Sequence, residues 1–477
     1  MRKGARTWTR GTRVSLVPPL LFALSLFALP FLRSGCRSPT PPPAHPDVVL
    51  VTVDTLRADH VGLYGYERPT TPAVDRWFGG GAIYERAYST HAATPQSVVS
   101  ILSGLLPQEH RVRLFYQLAP PELRLLPDLL RPRYRTAAFV ANMLLTEEAL
   151  GIAGRFDHYD DYVDQLQHNR DIYERNAERT TDAVLRWLER ENDPGRPLFL
   201  WVHYMDPHGP YHPPADWKFR FRHSGRREID PNRVSAYMRI PGETDGLVYV
   251  DRYDEEIAYT DFHLGRLFEG YEKIRPVEKS LWIFTADHGE TMMEHEFWFT
   301  HGYHVYEPIV RVPLLLRGPG VVPGRKTALA SGTDIAPTVL RFAGVESPPE
   351  LPRVDLRTGE GLSANRVVYA EARGLLQQRA AVAARRKWVV SLEPGTGKIV
   401  SKRTYDLEHD PGESAPEPWQ DGPAGESLLE LCRSDPDPGG APVQVRKGTK
   451  LTAPKIAPRA EAEVRERLRA LGYEEEP

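Results

Sequence analysis

The chain contains short apolar runs bounded by polar residues. They occupy 47–53 (DVVLVTV), 136–140 (TAAFV), 197–202 (PLFLWV), 280–285 (SLWIFT) and 312–316 (VPLLL). Runs of this length, in which apolar residues are continuous rather than alternating, are typical of strands buried on both faces. The pattern therefore predicts a central sheet that is covered on both sides.

Helical periodicity separates several of these runs. Apolar residues recur three or four positions apart in 175–191 and again in 253–271, which is the spacing of one helix face. Strands that alternate with helices are typical of a mostly parallel sheet between helical layers. We therefore expect an α/β fold, with one large layered domain over 47–350.

The pattern loosens after residue 350, where a smaller C-terminal subdomain over 351–477 is predicted. Two segments, 366–370 and 387–392, have the composition of strands. The segment 410–454 is rich in Pro, Gly, Glu and Asp and poor in apolar residues, which predicts an irregular or partly disordered excursion. The segment 460–471 has helix-forming composition with apolar residues on one side and is predicted to be a terminal helix.

The first 35 residues have the composition of a targeting segment. Basic residues precede an apolar run over 14–32, as in a signal peptide or a membrane anchor. The Pro-rich segment 36–46 is typical of a stiff, extended linker. Cys36 follows small residues, as a lipid-modified bacterial cysteine does, or it is an unmodified linker cysteine. We expect an extracytoplasmic protein, in the periplasm or at the cell surface, that contacts the membrane through its N-terminus.

The charges of the chain nearly cancel. Its 477 residues include 61 basic and 64 acidic side chains, for a formal net charge of −3. Proteins that bind nucleic acid neutralise phosphates with an excess of basic residues. The balance therefore predicts no nucleic-acid partner.

Acidic residues and histidines follow three of the predicted strands. Asp54 directly follows the first run, His203 and His208 follow the third, and Asp287 and His288 follow the fourth. The carboxyl ends of parallel strands meet at one edge of a sheet, where α/β proteins bind their ligands. Carboxylate and imidazole groups are ligands of divalent cations. We therefore predict one divalent metal ion per chain, which is Ca, Mn, Zn or Mg.

A hydroxyl nucleophile is predicted beside this metal site. Small residues precede Thr94 and Ser97, and an apolar run with helical spacing follows them. Both hydroxyls are therefore expected near a helix N-terminus, where unpaired backbone N–H groups favour an anionic ester. Metal coordination can activate such a weak nucleophile. Thr94 is the preferred nucleophile and Ser97 the alternative, while a third interpretation is that Thr94 only caps the helix.

Long blocks of the sequence resemble the sulfatases of the alkaline phosphatase superfamily. The blocks lie in the family's order between residues 47 and 413, and they include VVLVTVDTLRADHVGLYGY, FLWVHYMDPHGPYHPP, FTADHGE, HGYHVYEPIVRVPLLLRGPG and YDLEHDPGE. Several long blocks in order are far more specific than a single motif. The resemblance implies an alkaline phosphatase-like, three-layer α/β/α sandwich with a mostly parallel central sheet and a smaller C-terminal α+β subdomain.

The resemblance also implies roles for single residues. Asp54, Asp287 and His288 resemble the family's metal ligands, to which Thr94 is added as both a ligand and the nucleophile. His208 resembles the histidine that contacts the ester anion, so it is predicted to be catalytic and substrate-binding.

Further candidates are predicted around these positions. His301 is a catalytic candidate for protonating the leaving oxygen, and His304, His203 and Asn142 are substrate-binding candidates. An alternative is that His301 and His304 complete a second metal site with Asp206 and His203. Arg57 is a further candidate for steering the anion.

The block around the nucleophile departs from the family's pattern. Sulfatases have a Cys or Ser there, converted to formylglycine, within Cys-x-Pro-x-Arg. Counting back from the matching SILSG places Thr94 at that position and Val98 at the Arg position, with the proline displaced to Pro95. The family's Gly-Lys-Trp-His block reads VANM, so its anion-binding lysine is missing. A threonine at this position offers no substrate for conversion to formylglycine.

Thr94 resembles instead the nucleophile of the superfamily's phosphatases, phosphodiesterases and lipid-headgroup phosphotransferases. We therefore expect a metal-dependent hydrolase that cleaves a sulfate or phosphate ester of a small molecule, a lipid or a glycan, and the threonine favours phosphorus chemistry. One alternative is a lipid-headgroup or glycan phosphotransferase with the same site. The other is a catalytically inactive, surface-anchored binding protein.

Overall fold

The predicted apolar runs lie in or beside one eight-stranded sheet. The structure is a computed structural model that describes residues 46–167, 173–191, 193 and 195–435. Its strands are β1 Val48–Val53, β2 Ala82–Tyr84, β3 Ala87–Tyr88, β4 Arg135–Val140, β5 His158–Asp160, β6 Gln165–Leu166, β7 Tyr173–Glu174, β8 Leu198–Tyr204, β9 Leu281–Ala286, β10 Arg311–Val312, β11 Leu314–Arg317, β12 Gly324–Lys326, β13 Ala330–Ser331, β14 Val367–Arg373, β15 Gln377–Ala383, β16 Arg386–Leu392 and β17 Ile399–Asp406.

The α-helices of the described residues connect these strands. They are α1 Pro72–Phe78, α2 Thr94–Ser103, α3 Pro107–His110, α4 Leu126–Leu130, α5 Glu147–Leu150, α6 Ala177–Glu191, α7 Gly246–Ile274, α8 Glu307–Val310, α9 Ile335–Phe342 and α10 Pro423–Ser434. The two helices predicted from periodicity correspond to α6 and α7. α7 begins earlier than predicted because the Asp245 side chain caps it by accepting a hydrogen bond of 3.0 Å from the Leu247 N–H.

The central sheet has the strand order β12-β2-β11-β9-β1-β8-β4-β5. From β9 to β5 all neighbours are parallel, whereas β11 is antiparallel to both β9 and β2. β1, β8 and β9 are buried along their whole length, so both faces of the sheet are covered. The mostly parallel central sheet is therefore confirmed.

Two groups of helices pack around this sheet. In one group, α7 contacts α1 and α6, and α6 also packs on β4 and β8. In the other, α9 contacts α2 and α4, and α4 also packs on β4. The arrangement is the layered α/β architecture that the alternation of strands and helices predicted.

The run over 312–316 does not form one strand, because Pro313 divides it. β10 ends before the proline and pairs with β3 in a small three-stranded sheet, whereas β11 begins after it in the central sheet. Proline has no N–H to donate to a continuous ladder. Its carbonyl instead accepts a hydrogen bond of 2.8 Å from the Thr285 hydroxyl.

A separate antiparallel sheet, β14-β15-β16-β17, forms the C-terminal part of the described chain. The predicted strands 366–370 and 387–392 correspond to β14 and β16. The prediction of an irregular 410–454 segment agrees with the structure over 410–422 and is wrong over Pro423–Ser434, where α10 packs on β15 and β16. Leu428 and Cys432 of α10 are buried together with Val390 of β16, and this contact stabilises a helix despite the polar composition.

Other predictions concern residues outside the described ranges. They are the signal peptide or membrane anchor, almost all of the Pro-rich linker, the rest of the irregular segment and the terminal helix over 460–471. Within the described ranges, no helix combines the length and the hydropathy needed to cross a membrane.

A buried cation joins the C-terminal sheet to the rest of the protein. The Lys387 ammonium on β16 is fully buried and lies 3.1 Å from a carboxylate oxygen of Glu307 and 2.9 Å from one of Glu413. We expect Lys387→Met to lower the free energy of unfolding by about 3–5 kcal/mol, because it leaves the buried Glu413 and the half-buried Glu307 without their cation. Urea denaturation measures the loss, and Lys398→Met at an exposed position is the control. A loss under about 1 kcal/mol would contradict the structural role of this ion pair.

Candidate active site

The register of the central strands places three candidate side chains together. Val53 pairs with Ala286 on one side and with Tyr204 on the other, so Asp54 and Asp287 each follow directly on a paired residue. His203 pairs with Thr52 and lies within β8, which extends further than predicted. The convergence of strand ends at one edge of a parallel sheet therefore has its basis in backbone pairing.

Asp54 lies at the centre of a fully buried cluster. Its Oδ2 atom is 3.3 Å from His203 Nε2, 3.4 Å from the Thr94 hydroxyl and 2.6 Å from the Asn142 amide nitrogen. Its Oδ1 atom has no hydrogen-bond partner among the described residues. Since a buried carboxylate oxygen without a partner is costly, this atom is available as a ligand.

Asp287 presents a second carboxylate to the same space. Its Oδ1 atom accepts hydrogen bonds from the backbone N–H groups of Thr55, at 3.3 Å, and His288, at 2.8 Å. Its Oδ2 atom is buried and has no hydrogen-bond partner within the described part of the chain. The two acids therefore each keep one oxygen unpaired.

The electrostatics of the two acids differ. Burial raises the pKa of Asp54, but the hydrogen bond from His203 and the positive charges of nearby histidines more than offset it, and its pKa lies well below the usual range. Burial, and then the negative charge of Asp54, raise the pKa of Asp287. The cluster therefore stabilises the ionised form of Asp54, and the charge of Asp54 destabilises the ionised form of Asp287.

These residues fit a divalent cation. One ligand atom each from Asp54, His203 and Asp287 lie within 4.8 Å of one another. Two unpaired carboxylate oxygens and imidazole nitrogens are a donor set for ions such as Mn and Zn, and the oxygens also suit Ca and Mg. A cation between them would supply the partner that both buried oxygens lack.

His288 points its ring into this space. Its Nδ1 atom lies 2.9 Å from the Gly289 carbonyl oxygen, to which it donates a hydrogen bond. Its Nε2 atom lies 3.4 Å from the Thr94 hydroxyl and 3.5 Å from Asp287 Oδ2. The predicted metal ligands Asp54, Asp287 and His288 are therefore brought together with Thr94.

His203 has a different environment from the predicted one. Its Nδ1 atom lies 2.8 Å from the Thr52 hydroxyl oxygen, which also accepts a hydrogen bond of 3.0 Å from the Trp201 indole. This fixes the ring so that Nε2 faces Asp54. The geometry makes His203 a candidate metal ligand rather than the predicted substrate-binding residue.

Thr94 is the first residue of α2 and is almost fully buried. Ala93 occupies the cap position and no side chain caps the helix, so the interpretation of Thr94 as only a helix cap is wrong. Ser97 is not available as the alternative nucleophile, because its hydroxyl donates a hydrogen bond of 2.6 Å to the Asp287 carbonyl and lies 2.9 Å from the Ser89 hydroxyl.

Thr55 itself adopts a strained backbone conformation. Its φ angle of 52° lies in the left-handed region, which is unfavourable for a β-branched residue. The Tyr253 hydroxyl donates a hydrogen bond of 2.7 Å to the Thr55 carbonyl, while the Thr55 N–H points to Asp287. The strained residue therefore links the two acids, because Thr55 directly follows Asp54 and its N–H donates to Asp287.

Asn142 faces the metal cluster rather than an open substrate cavity. Its side-chain oxygen accepts a hydrogen bond of 2.8 Å from the Leu144 N–H, which directs the amide nitrogen to Asp54. It was predicted as a substrate-binding residue from its place near the missing lysine. In the structure it orients the Asp54 carboxylate.

His208 and His301 lie beside the cluster. The centroid of the His301 ring is 4.6 Å from that of His288 and 5.1 Å from that of His208. His208 Nδ1 donates to the Gly209 carbonyl at 2.7 Å. Burial lowers the pKa of His301, but the charge of Glu290, 3.2 Å from Nδ1, more than offsets it and the net pKa is raised.

Three other candidates have different contacts. His304 packs against Phe297 and Tyr306, away from the cluster. The Arg57 guanidinium is bound by Asp59 and Glu294, so it is occupied within the chain and does not steer an anion. Asp206 accepts a hydrogen bond of 2.8 Å from the Ala177 N–H at the start of α6, a capping role that does not support a second metal site.

One residue of the site, Glu290, was missed, and a second residue, His91, lies near enough to His288 to be affected by its charge. Glu290 orients His301 and accepts a hydrogen bond of 3.3 Å from the Tyr211 hydroxyl. His91 is 1% exposed, and neither of its ring nitrogens has a hydrogen-bond partner among the described residues. Burial, and then the charges of Arg373 and His288, lower the pKa of His91. The position of Glu290, three residues after Asp287, was the available signal, whereas nothing local in the sequence marked His91.

The comparison with known protein families decides the assignment. The sulfatase family profile matches residues 46–345. The chain belongs to the sulfatase family. This membership confirms the predicted enzyme class, a hydrolase of ester bonds, and of the two types predicted it supports the sulfuric ester type.

Relatives of the family are distant in sequence. An arylsulfatase of Clostridium perfringens is 24% identical over 376 residues, which cover 65% of this chain and 78% of the relative. The solved structure of a 2-O GAG sulfatase matches with a TM-score of 0.64 at 18% identity, over 82% of this chain and 90% of that one. The phosphonate monoester hydrolase of Agrobacterium radiobacter matches with a TM-score of 0.61 at 18% identity, over 78% and 91%. These matches confirm the alkaline phosphatase-like fold.

Proposed function

We propose that the protein is a metal-dependent hydrolase of sulfate esters in which the Thr94 hydroxyl is the nucleophile. The observation that supports this is the position of Thr94 Oγ1, 3.4 Å from both Asp54 Oδ2 and His288 Nε2. The hydroxyl also lies at the N-terminus of α2, where free backbone N–H groups favour an anion.

The residues divide between holding an ion and handling the ester. Asp54, Asp287, His203 and His288 would hold one divalent ion through the atoms that face the cluster. Such an ion lowers the pKa of a hydroxyl and stabilises negative charge on an ester. Asn142, Thr52 and Thr55 position the ligands, because each is hydrogen-bonded to one of them.

The reaction would proceed by two displacements. Thr94 Oγ1 attacks the sulfur atom in line with the leaving oxygen, and its proton moves to Asp54 Oδ2, 3.4 Å away, because His288 Nε2 would face the ion. His301, oriented by Glu290, protonates the leaving oxygen, and His208 stabilises the anion. Water then releases sulfate from Thr94.

A phosphate ester is the second candidate substrate, because the nucleophile position holds a threonine. No Cys or Ser stands there for conversion to formylglycine. A hydroxyl nucleophile activated by a cation serves phosphorus as well as sulfur. A phosphotransferase would use the same residues and pass the group to an alcohol instead of water.

Turnover of matched esters tests these alternatives. The protein is loaded in turn with Ca, Mn, Zn or Mg and assayed with 4-nitrophenyl sulfate, 4-nitrophenyl phosphate and bis(4-nitrophenyl) phosphate, which share a leaving group. Faster turnover of the sulfate supports the proposal, and turnover of phosphates alone supports the second candidate. Transfer of the sulfate or phosphate group to added glycerol identifies a transferase. Bound metal without any turnover supports the remaining interpretation, a binding protein without catalytic activity.

His91 is proposed to donate a hydrogen bond to the ester anion, since both of its buried ring nitrogens lack a partner in the described chain. We expect His91→Phe to lower kcat/KM by about 10- to 100-fold, the effect of losing one hydrogen bond to a charged group. The free energy of unfolding should not fall, because no hydrogen bond within the protein is lost.

His110→Phe is the matched control for this variant. His110 is also buried, but its ring nitrogens lie 3.1 Å from Ser100 Oγ and 3.1 Å from the Val112 N–H. It should lower stability by about 1–3 kcal/mol, because two polar groups lose their partner. If His91→Phe instead destabilises the protein and leaves kcat/KM intact, His91 is structural.

We also propose an extracytoplasmic location, with the membrane contacted through the N-terminal segment. The support is the basic and apolar pattern of residues 1–35 and the Pro-rich segment that follows. Fractionation of cells that express the full chain, with protease added to intact cells, measures this directly. Recovery with the cytoplasmic fraction would refute it.

A further inference from the structure

Residues 217–227 form a surface segment in which aromatic and basic side chains alternate, called here the basic aromatic segment. Its sequence is WKFRFRHSGRR, which has five Lys or Arg side chains, three Trp or Phe rings and no acid. Phe219 is 73% exposed, although large apolar side chains usually lie in the core. Arg220, Arg222 and Arg226 are exposed as well. The segment therefore differs from an ordinary solvated surface, on which charges of both signs are mixed.

A buried acid of α7 holds the backbone of this segment. Glu255 is 3% exposed and accepts a hydrogen bond of 3.4 Å from the Phe221 N–H. Burial raises the pKa of Glu255, and hydrogen bonds from the backbone of Phe221, Arg220 and Phe219 counteract this only in part. The φ angle of Phe219 is 66°, which is unfavourable for a bulky residue. The backbone therefore keeps an aromatic side chain exposed at a position where it also costs strain.

The cations of the basic aromatic segment are not neutralised by carboxylates. None of the five forms a salt bridge within the described part of the chain. Lys218 Nζ lies 3.2 Å from a ring nitrogen of His212, and Arg227 donates a hydrogen bond of 3.2 Å to the Met293 carbonyl. The nearest acids in the sequence lie just beyond the two ends of the segment. The segment therefore presents a local excess of positive charge, although the whole chain is close to neutral.

Guanidinium groups lie over two of the rings. Arg220 Cζ is 4.2 Å from the centroid of the Trp217 ring, and Arg222 Cζ is 5.8 Å from that of the Phe219 ring. A sugar or a nucleobase stacks on a ring face, and in both rings a cation already covers one face. The exposed edges of the rings remain accessible to apolar groups, and the guanidinium groups remain accessible to anions.

The exposed aromatic surface continues from the segment onto α7. The centroid of the Trp217 ring lies 5.5 Å from that of Phe262 and 5.6 Å from that of Tyr259. Phe262 is itself 52% exposed. Trp217 therefore packs the basic aromatic segment onto a long, rigid helix and joins it to a second exposed phenylalanine.

We propose that the basic aromatic segment, together with Phe262, binds the surface of an anionic membrane. The cations bind acidic headgroups, and the exposed rings enter the boundary between headgroups and acyl chains. A soluble polyanion would also satisfy the cations, but it would leave Phe219 in water, which favours a lipid surface. The inference assigns a membrane contact to the folded domain itself. It depends neither on the ester chemistry nor on the membrane contact proposed for residues 1–35.

Hydrogen exchange of the full chain on vesicles tests this. Vesicles of phosphatidylcholine are compared with vesicles in which about one lipid in three is phosphatidylglycerol. Mass spectrometry of the peptide that covers 217–227 reports on the segment itself, separately from any binding by residues 1–35. We expect the anionic vesicles to slow exchange in this peptide and the neutral vesicles to leave it unchanged. Raising the salt concentration from about 0.1 to 1 M should remove most of the protection, because it screens the charges.

Variants of the segment separate the charges from the ring. Arg220→Gln combined with Arg222→Gln should raise the vesicle concentration at half-maximal protection by about 25-fold, since each cation contributes about fivefold. Phe219→Asn should raise it by about fivefold, because one ring no longer leaves water. Phe219→Asn should not lower the free energy of unfolding, since asparagine tolerates a positive φ angle.

The matched control removes two charges outside the segment. Arg124→Gln combined with Lys398→Gln changes exposed positions elsewhere and should keep the wild-type concentration at half-maximal protection. Absent protection, equal protection by neutral and anionic vesicles, or an unchanged half-maximal concentration in either variant of the segment overturns the inference. Protection by dextran sulfate without protection by anionic vesicles also overturns it and identifies a soluble polyanion as the partner.

Discussion

Thr94→Ala is expected to lower kcat for the best ester by about 10⁶-fold, as the loss of a catalytic nucleophile does in other hydrolases. The hydroxyl lies within 3.4 Å of Asp54 and His288, and the described chain offers no second hydroxyl in the same position. Metal content measured by mass spectrometry should persist, because the acids and histidines of the cluster are unchanged. The measurement is steady-state turnover of metal-loaded protein.

Two variants separate loss of the nucleophile from local damage. Thr94→Ser keeps a hydroxyl at the α2 N-terminus and should retain activity within about tenfold of the wild type, the effect of one misplaced contact. Ser97→Ala removes a neighbouring buried hydroxyl that is bonded to the backbone of Asp287, and it should retain most of the activity. If Thr94→Ala keeps more than a tenth of the wild-type kcat, or if Ser97→Ala lowers kcat as far as Thr94→Ala does, Thr94 is not the nucleophile.

The central sheet was predictable because its strands are buried on both faces. Such strands consist of continuous apolar residues, and this pattern identified β1, β4, β8 and β9 within one or two residues. The division of the fifth run at Pro313 shows the limit of the pattern. The apolar residues continue on both sides of the proline, but the hydrogen bonding of the strand is interrupted there because proline has no N–H.

α10 was missed because composition was given more weight than periodicity. The segment around it is rich in Pro, Gly and acidic residues, yet Ala424, Leu428 and Cys432 recur every four residues and are buried. Pro423 opens the helix, where its lack of an N–H costs nothing. The short helix is stable only because β15 and β16 cover its apolar face, and the sequence of the helix itself does not contain that information.

The site was predictable where residues follow strand ends and less so where they lie inside elements. Asp54, Asp287 and His288 follow parallel strands, so their convergence follows from the topology. His203 lies in a strand that is buried throughout, where only the register with Thr52 determines that it faces Asp54. His304 was wrongly predicted to bind substrate. It lies three residues after His301 in the chain, but this closeness in sequence does not bring it close to the site in space.

Asp287→Asn is expected to stabilise the metal-free protein while removing its response to metal. The wild-type cluster buries two carboxylates that each have an unpaired oxygen, and the charge of Asp54 adds to burial in raising the pKa of Asp287. An asparagine keeps an oxygen for the Thr55 and His288 N–H groups and removes the repulsion. In the presence of a chelator, we expect a gain of about 1–3 kcal/mol in the free energy of unfolding, the usual cost of one buried group without its partner.

The pH dependence of this gain has a definite sign. Because the pKa of Asp287 is raised in the folded state, its ionisation destabilises the metal-free wild type as pH rises through the carboxyl range. The advantage of Asp287→Asn should therefore be small in acid, where Asp287 is protonated, and should grow toward neutral pH. Denaturant unfolding at several pH values with chelator measures it.

Addition of metal should make the wild type more stable than Asp287→Asn. The wild type is expected to gain about 2.7 kcal/mol at a metal concentration of 100 times Kd, because a cation pairs with both buried oxygens, while Asp287→Asn loses a ligand and gains little. Asp216→Asn, at an exposed position, is the control and should respond as the wild type does. Two results would show that the two carboxylates do not form a cation site. One is a wild type whose stability does not change with Ca, Mn, Zn or Mg. The other is an Asp287→Asn protein that melts at a lower temperature than the wild type in chelator.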